Sequence, residues 1–425
     1  MSLLDDFAEY ESSARRRESN SGITEASNEF ANGHKDDRIS GFAAGMTADV
    51  DGYITTTLEA ENAPIFSLDT VQFQVPNKII SLTVSNDVLI LVIEGAKILR
   101  IRLQEAHNIL EANIPVNPVS LRACNVFLDP TGRHLLISTP QGESFYYHEG
   151  WDSAKPLSRL KNMEITAVAW NGMAWTTANS STRTILFGTH DGKIYETELR
   201  PAGDAKAKRS DIPARCVAEL PMREKITGIA MEVFPARRKQ HLVLVATGTR
   251  LYQIIGAADL ESRHRDKNTH AVFEAMLREG LAAPNFQEIP GMPGPGSLAV
   301  HHRESPISNG KTQAVATDFA WLTSMGVFFG RLTFRSQEAG DSVVENAALL
   351  PYPPPLSASG QNDDENGGEE DVIVEHPLSL ALTEFHILLQ YSDNVRALNM
   401  LSNRPVYEQW VESSSGASEV LQGLT

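Results

Sequence analysis

The sequence predicts an all-β chain, a β-propeller of divergent blades. Three observations lead to it. From Pro64 onward, short apolar and β-branched runs alternate with turns rich in Gly, Asn, Asp and Ser. The runs come in groups, and the first run of each group begins near residues 79, 126, 165, 226, 317 and 378. That spacing, about 40–60 residues with one long interruption, is the size of a propeller blade. A chain of 425 residues is long for one domain, but each blade adds its own slice of core.

The elements follow in order. Residues 1–60 are rich in Ser, Asn, Asp, Glu and Gly, carry apolar residues without period, and read as a disordered acidic arm. Residues 61–425 read as the propeller. In the first unit, 79–84 alternates like a strand, 85–87 is a turn, 88–93 is a buried strand, 94–97 turns again and 98–103 is a half-exposed strand. The second unit has runs at 126–128, 134–138 and 144–147, and the third at 165–170, 184–189 and 194–199. The fourth has 226–231, 241–247 and 251–255, the fifth 317–322 and 327–332, and the sixth 378–383, 385–391 and 395–398.

Two interruptions stand out. Residues 257–316 read as an insertion with a short helix over 271–278, Gly280 being its C-cap. Residues 351–371 hold Pro353-Pro354-Pro355 and the acids Asp363, Asp364, Glu365, Glu369, Glu370 and Asp371, and read as a disordered acidic loop. After Tyr407 no strong strand follows. The last blade is therefore expected to be incomplete, and the chain to be part of a longer protein.

Composition excludes several classes. The net charge of −17 repels nucleic-acid phosphate and anionic lipid, so no nucleic-acid partner is expected. The basic runs 15–17 and 237–239 read as solvated charge, the second in a hairpin turn. The longest apolar stretch, 88–93, is far short of the roughly 20 residues a membrane helix needs. The N-terminus lacks the pattern of a secretory signal, so Asn179-Ser180-Ser181 reads as an accidental glycosylation match. Cys124 and Cys216 make neither a disulfide framework nor a zinc site, and read as buried thiols.

No catalytic, cofactor-binding or metal-binding residues are expected. Phosphate-loop, dinucleotide, metalloprotease and hydrolase motifs are absent from the sequence. Residues 188–193 resemble a phosphate loop only faintly, and lie between two strands as a hairpin turn. His301 and His302 are adjacent on a strand and point to opposite faces, so they do not share a metal. Trp170, Trp321, Phe187 and Phe329 read as packing between blades. The inner-strand residues Ser81, Leu82, Ala167, Val168, Gly228, Ile229, Leu380 and Ala381 are mostly apolar or small, which speaks against ionisable groups converging on the channel.

The blade residues also carry a resemblance. The stretches 63–68, 127–137, 185–196, 249–256, 319–321 and 382–389, taken in order, resemble the vacuolar protein sorting-associated protein 18 family, the deep-orange family. The resemblance implies an N-terminal propeller of about seven blades, followed in the full protein by an α-solenoid and a RING domain. It implies a non-catalytic scaffold subunit of the HOPS and CORVET membrane-tethering complexes, acting in endosome-to-vacuole or lysosome vesicle tethering and fusion. Implied partners are the other class C tethering subunits, with Rab GTPases and SNAREs reached through the complex. The implied location is cytoplasmic, peripheral on late endosome and vacuole or lysosome membranes through the complex. The alternatives are a propeller scaffold of another trafficking coat, or a small-ligand-binding propeller with its site at the channel mouth.

Overall fold

Alternation of β-branched and apolar residues with tight turns makes antiparallel meanders, and the described residues form six four-stranded ones. A computed structural model describes residues 46–48, 54–56, 74–105, 107–119, 121–172, 181–201, 214–258, 271–290, 297–307, 311–334, 342–354 and 375–410. The chain divides into two units, Met1–Ile65 and Phe66–Thr425. In the first, β1 (Met46–Ala48) pairs antiparallel with β2 (Ile54–Thr56). Thr and Ile at these positions favour extended backbone, so strand occurs within the stretch read as a disordered arm. Of that arm, the rest lies outside the described residues, including the basic run 15–17.

The second unit holds the blades, each a four-stranded antiparallel sheet with its strands in chain order. Blade 1 is β3 (Ile79–Ser85), β4 (Val88–Ile93), β5 (Lys97–Arg102) and β6 (Ile109–Asn113). Blade 2 is β7 (Asn125–Leu128), β8 (His134–Ser138), β9 (Ser144–His148) and β10 (Lys155–Pro156). Blade 3 is β11 (Ile165–Ala169), β12 (Thr184–Thr189), β13 (Lys193–Glu198) and β14 (Arg215–Glu219). Blade 4 is β15 (Ile226–Phe234), β16 (Arg237–Thr247), β17 (Arg250–Ala257) and β18 (Asn285–Glu288). Blade 5 is β19 (Leu298–Ile307), β20 (Lys311–Thr323), β21 (Gly326–Leu332) and β22 (Val344–Leu350). Blade 6 is β23 (Ser379–Leu382), β24 (His386–Gln390), β25 (Asn394–Asn399) and β26 (Pro405–Trp410). First strands of successive blades adjoin along the series. Six blades are described where the resemblance implied about seven. The sixth has all four strands, because 405–410 pairs with β25.

The core lies between blades. Ile90, Val92 and Ile98 of blade 1 pack with Leu135, Ile137 and Tyr147 of blade 2. Leu136 and Tyr146 meet Ile185 and Phe187 of blade 3, and Leu186 and Ile194 meet Val243 and Val245 of blade 4. Leu242 and Leu244 pack with Phe319 and Trp321. Ala320 and Leu322 then pack with Ile387 and Leu389. Alternate residues of one strand thus serve opposite neighbours, as period-two side chains must. Trp321 and Phe187 are fully buried in these layers and Phe329 is partly buried in one, the packing role expected of them.

Several local expectations change. The insertion read over 257–316 is narrower, since β18, all of β19 and the start of β20 fall inside it. The fifth unit's first strand is β19, and 317–322 belongs to its second strand, β20. The helix, α1, spans Glu274–Ala282, so Gly280 is internal and not its C-cap. Gly280 is there for space: a Cβ on it would run into Ile254 of β17. Gly192, with φ +76°, does turn the hairpin between β12 and β13, and a Cβ there would lie 2.7 Å from the Cα of Arg223. Residues 237–239 open strand β16 beyond a turn at 235–236, so they are not the turn itself. Of the loop 351–371, Pro353 is buried and its carbonyl accepts a hydrogen bond from Arg396. Residues 355–374 lie outside the described residues, as does Asn179.

Candidate functional site

A propeller's inner strands lie side by side, and where their ends diverge they leave a concavity walled by several blades. One such cavity, of about 420 Å³, lies among the first strands of blades 3, 4 and 5. Its apolar wall includes Val168 of β11, Ile229 and Met231 of β15, and Leu298 and Val300 of β19. Trp170, just past β11, closes one side while also packing against the blade 2–3 core. Pro130, from the turn between β7 and β8, and Ala314 of β20 complete the rim.

The polar end consists of Glu232, His302 and Gln313. His302 Nε2 lies 2.9 Å from Glu232 Oε1, joining blades 4 and 5. Both side chains are largely shielded, at 27% and 14% exposure. Burial opposes charge on the His302 ring, but the hydrogen bond and charge of Glu232 together outweigh it and raise the pKa. The result is a charge-assisted pair.

His301 is separated from this pair. A register shift falls between His301 and His302. Burial lowers the His301 pKa, against the opposing charge of Asp318. Neither ring is brought to the other for shared ligation. The inner-strand residues Ser81, Ala167, Ile229, Leu380 and Ala381 are buried. Sequence reasoning missed the cavity, because its polar end belongs to β19 and to the far end of β15, neither of which was read as inner strand. A signal was present: Glu232 continues the alternation of β15 beyond Met231, and His302 lies in the unassigned stretch before β20.

The thiols differ from the expectation. Cys216 is exposed and Cys124 is partly buried, and both are free. Burial pushes the Cys124 thiol up to about 12 and raises that of Cys216. Since the thiolate is the nucleophile, iodoacetamide at pH 8 is expected to alkylate Cys216 well before Cys124. Peptide mapping over time checks this, and equal rates would contradict the burial of Cys124.

Electrostatics also staple blades together. Glu149, at the end of blade 2, receives Arg100 at 3.0 Å and Arg102 at 2.9 Å, both from β5 of blade 1. Burial pushes the Glu149 pKa up, but the hydrogen bonds and charges of Arg102 and Arg100 outweigh it and hold the carboxyl below its ordinary value. This is a structural contact. Among the described residues, no group of three or more His, Cys, Asp and Glu is placed to hold a metal ion. Nor is any helix among them long and apolar enough to cross a membrane.

Comparison with known proteins gives this arrangement a family. Residues 64–425 match the model of the Pep3/Vps18/deep orange beta-propeller domain. The chain is 32% identical over 309 residues to "Vacuolar sorting protein 18" of Arabidopsis thaliana, covering 70% of this chain and 27% of the relative. It is 26% identical over 359 residues to "Vacuolar protein sorting-associated protein 18 homolog" of Danio rerio, covering 84% of this chain and 34% of the relative. The homolog of Drosophila melanogaster is 26% identical over 305 residues, covering 67% of this chain and 27% of the relative. The matched part of these relatives is therefore only about a third of their length or less. The family match takes in all six blades, and the chain belongs to the Pep3/Vps18/deep orange β-propeller family.

Proposed function

We propose that the chain is a non-catalytic, protein-binding scaffold: the propeller part of a HOPS/CORVET membrane-tethering subunit. It serves endosome-to-vacuole or lysosome vesicle tethering and fusion. The observation that carries this reading is the family match over residues 64–425, joined to relatives named for vacuolar protein sorting. The physical picture agrees with it. The blades spend their apolar faces on one another, leaving rims and outer strands for partners. The acidic net charge of −17 disfavours nucleic acid and direct adsorption on anionic lipid, so membrane association runs through the complex. The partners are the other class C tethering subunits, with Rab GTPases and SNAREs engaged by the assembly on late endosome and vacuole membranes.

The test is affinity purification of the protein, tagged at its own locus, followed by mass spectrometry. Class C tethering subunits are expected in stoichiometric amounts, with Rab GTPases and SNAREs below stoichiometry. Recovery of a different trafficking coat, or no co-purifying tethering subunit, would overturn the assignment.

A further inference from the structure

The cavity between blades 3, 4 and 5 has a composition that narrows what it can take. Its volume, about 420 Å³, suits one or two large side chains or a small ligand. Its larger aliphatic and thioether side chains are Val168, Ile229, Met231, Val233, Leu298 and Val300. Ile229 and Met231 are already buried, while Val168, Leu298 and Val300 are partly exposed and lose their remaining solvent when something apolar fills the space. Met231 adds a deformable surface that tolerates different shapes.

The polar end is as selective. Among the described lining residues only Glu232 and His302 are ionisable, and His302 is already held by Glu232. An anionic ligand would meet a carboxylate and no uncommitted cation, a costly match in a shielded site. The Glu232 carboxylate is engaged at Oε1 by His302, and no other hydrogen bond to it occurs among the described residues. Its remaining acceptor capacity suits a cationic donor. A chain of net charge −17 also draws basic partners toward it. The wall is open to solvent on one side, where Ala314 of β20 is exposed, so an occupant can continue outward over the rim.

We propose that this cavity is a docking site for an extended segment of a partner protein, in which a large apolar side chain fills the cavity and a neighbouring lysine or arginine pairs with Glu232. The segment is read by two features held close together, an apolar anchor and a cation. The three-blade wall means that the site exists only in the assembled propeller. This extends the scaffold reading by naming what one of its surfaces accepts. The test below uses no tethering subunit, so the failure of either claim is distinguishable from failure of the other.

The experiment pans a phage library of random nine-residue peptides against the whole chain, with counter-selection on the variant Ala314→Trp, whose indole would plug the rim. Recovered peptides are expected to carry a large apolar residue within two positions of Lys or Arg. Their affinity, by fluorescence anisotropy, should fall at least tenfold with Glu232→Gln and vanish with Ala314→Trp. In protein labelled at methionine methyls, the Met231 resonance, assigned through Met231→Leu, should shift on binding. Melting temperatures of both variants check folding. If Ala314→Trp lowers it, the isosteric Glu232→Gln carries the test alone. Three results would overturn the proposal: no peptide enriched by the wild-type chain over the plugged variant; enriched peptides without the cation or the apolar anchor, or indifferent to Glu232→Gln; and hexylammonium, the same chemistry without a backbone, binding as tightly as the peptides.

Discussion

Trp321→Ala is expected to destabilise the chain by about 3–5 kcal/mol, the range for deleting a large aromatic from a close-packed core. Trp321 sits in β20 with none of its surface exposed. It shares a cluster with Phe234, Leu242, Leu244, Ala246 and Leu251 of blade 4 and with Phe319, Phe328 and Leu332 of its own blade. Its ring meets Phe328 edge-on, with centroids 6.4 Å apart. Alanine would leave a void between two blades, and neighbouring strands held by ladders on both sides have little freedom to collapse into it. Trp321→Phe separates volume from polarity. The indole Nε1 is buried with no hydrogen-bond partner among the described residues, so phenylalanine removes an unsatisfied donor along with part of the volume. A loss under about 2 kcal/mol is expected for it. Denaturant titration of the three proteins checks the order. A midpoint unchanged in Trp321→Ala would mean that the residue is not between blades at all.

The buried strands were legible and the exposed ones were not, for one physical reason. Second strands such as β4, β8 and β12 are covered on both faces, so they read as continuous apolar runs. Fourth strands lie at the outer edge: β22 (Val344–Leu350) is exposed along most of its length and β18 (Asn285–Glu288) over half of it. Their sequences carry little hydrophobic signal, and they are held by ladder hydrogen bonds to a neighbour the sequence cannot indicate. The later half of the inner strand β19 carries an equally weak signal: Arg303 and Glu304 are exposed, and of its polar residues His302 lines the cavity. That is why the candidate site escaped the reading while the fold did not.

The helix shows the same limit. The Phe273 cap position makes no side-chain cap bond of its own, but its N–H donates to Glu196 Oε2 at 2.9 Å. Glu196 is a buried carboxylate of β13, 77 residues earlier, and it ties the start of α1 to blade 3. A start signal supplied by another blade is invisible to any local rule. Cys216 erred differently: β14 was legible as strand-like, but not which of its alternating residues faces solvent.

Arg396→Ala is expected to cost about 3–5 kcal/mol, as for removing one partner of a buried ion pair. Arg396, in β25, is only 3% exposed. Its Nη1 donates to the Pro353 carbonyl at 3.0 Å, its Nη2 lies 2.9 Å from Glu375 Oε2, and its Nε lies 3.2 Å from Glu408 Oε1. The guanidinium also stacks over Tyr391, 4.1 Å from the ring centroid. The arginine thus pins the segments on either side of 355–374 to β25 and β26. Its removal takes the guanidinium from the Glu408 carboxylate, whose side chain is 5% exposed, and weakening the compensation of a shielded charge outweighs the loss of any single bond. Arg396→Lys should recover little, because a point-charge ammonium cannot serve three acceptors in one plane and stack as well. The double change Arg396→Met with Glu408→Leu removes both charges and refills the volume, and should return stability to within about 1–2 kcal/mol of the parent. The double-mutant cycle, read by denaturant unfolding, distinguishes the two accounts. If Arg396→Ala alone is as stable as the parent, the arginine is not the fastener of blade 6. If the double mutant is as unstable as the single, it is the contacts to Pro353 and Glu375, and not the pairing with Glu408, that hold the blade together.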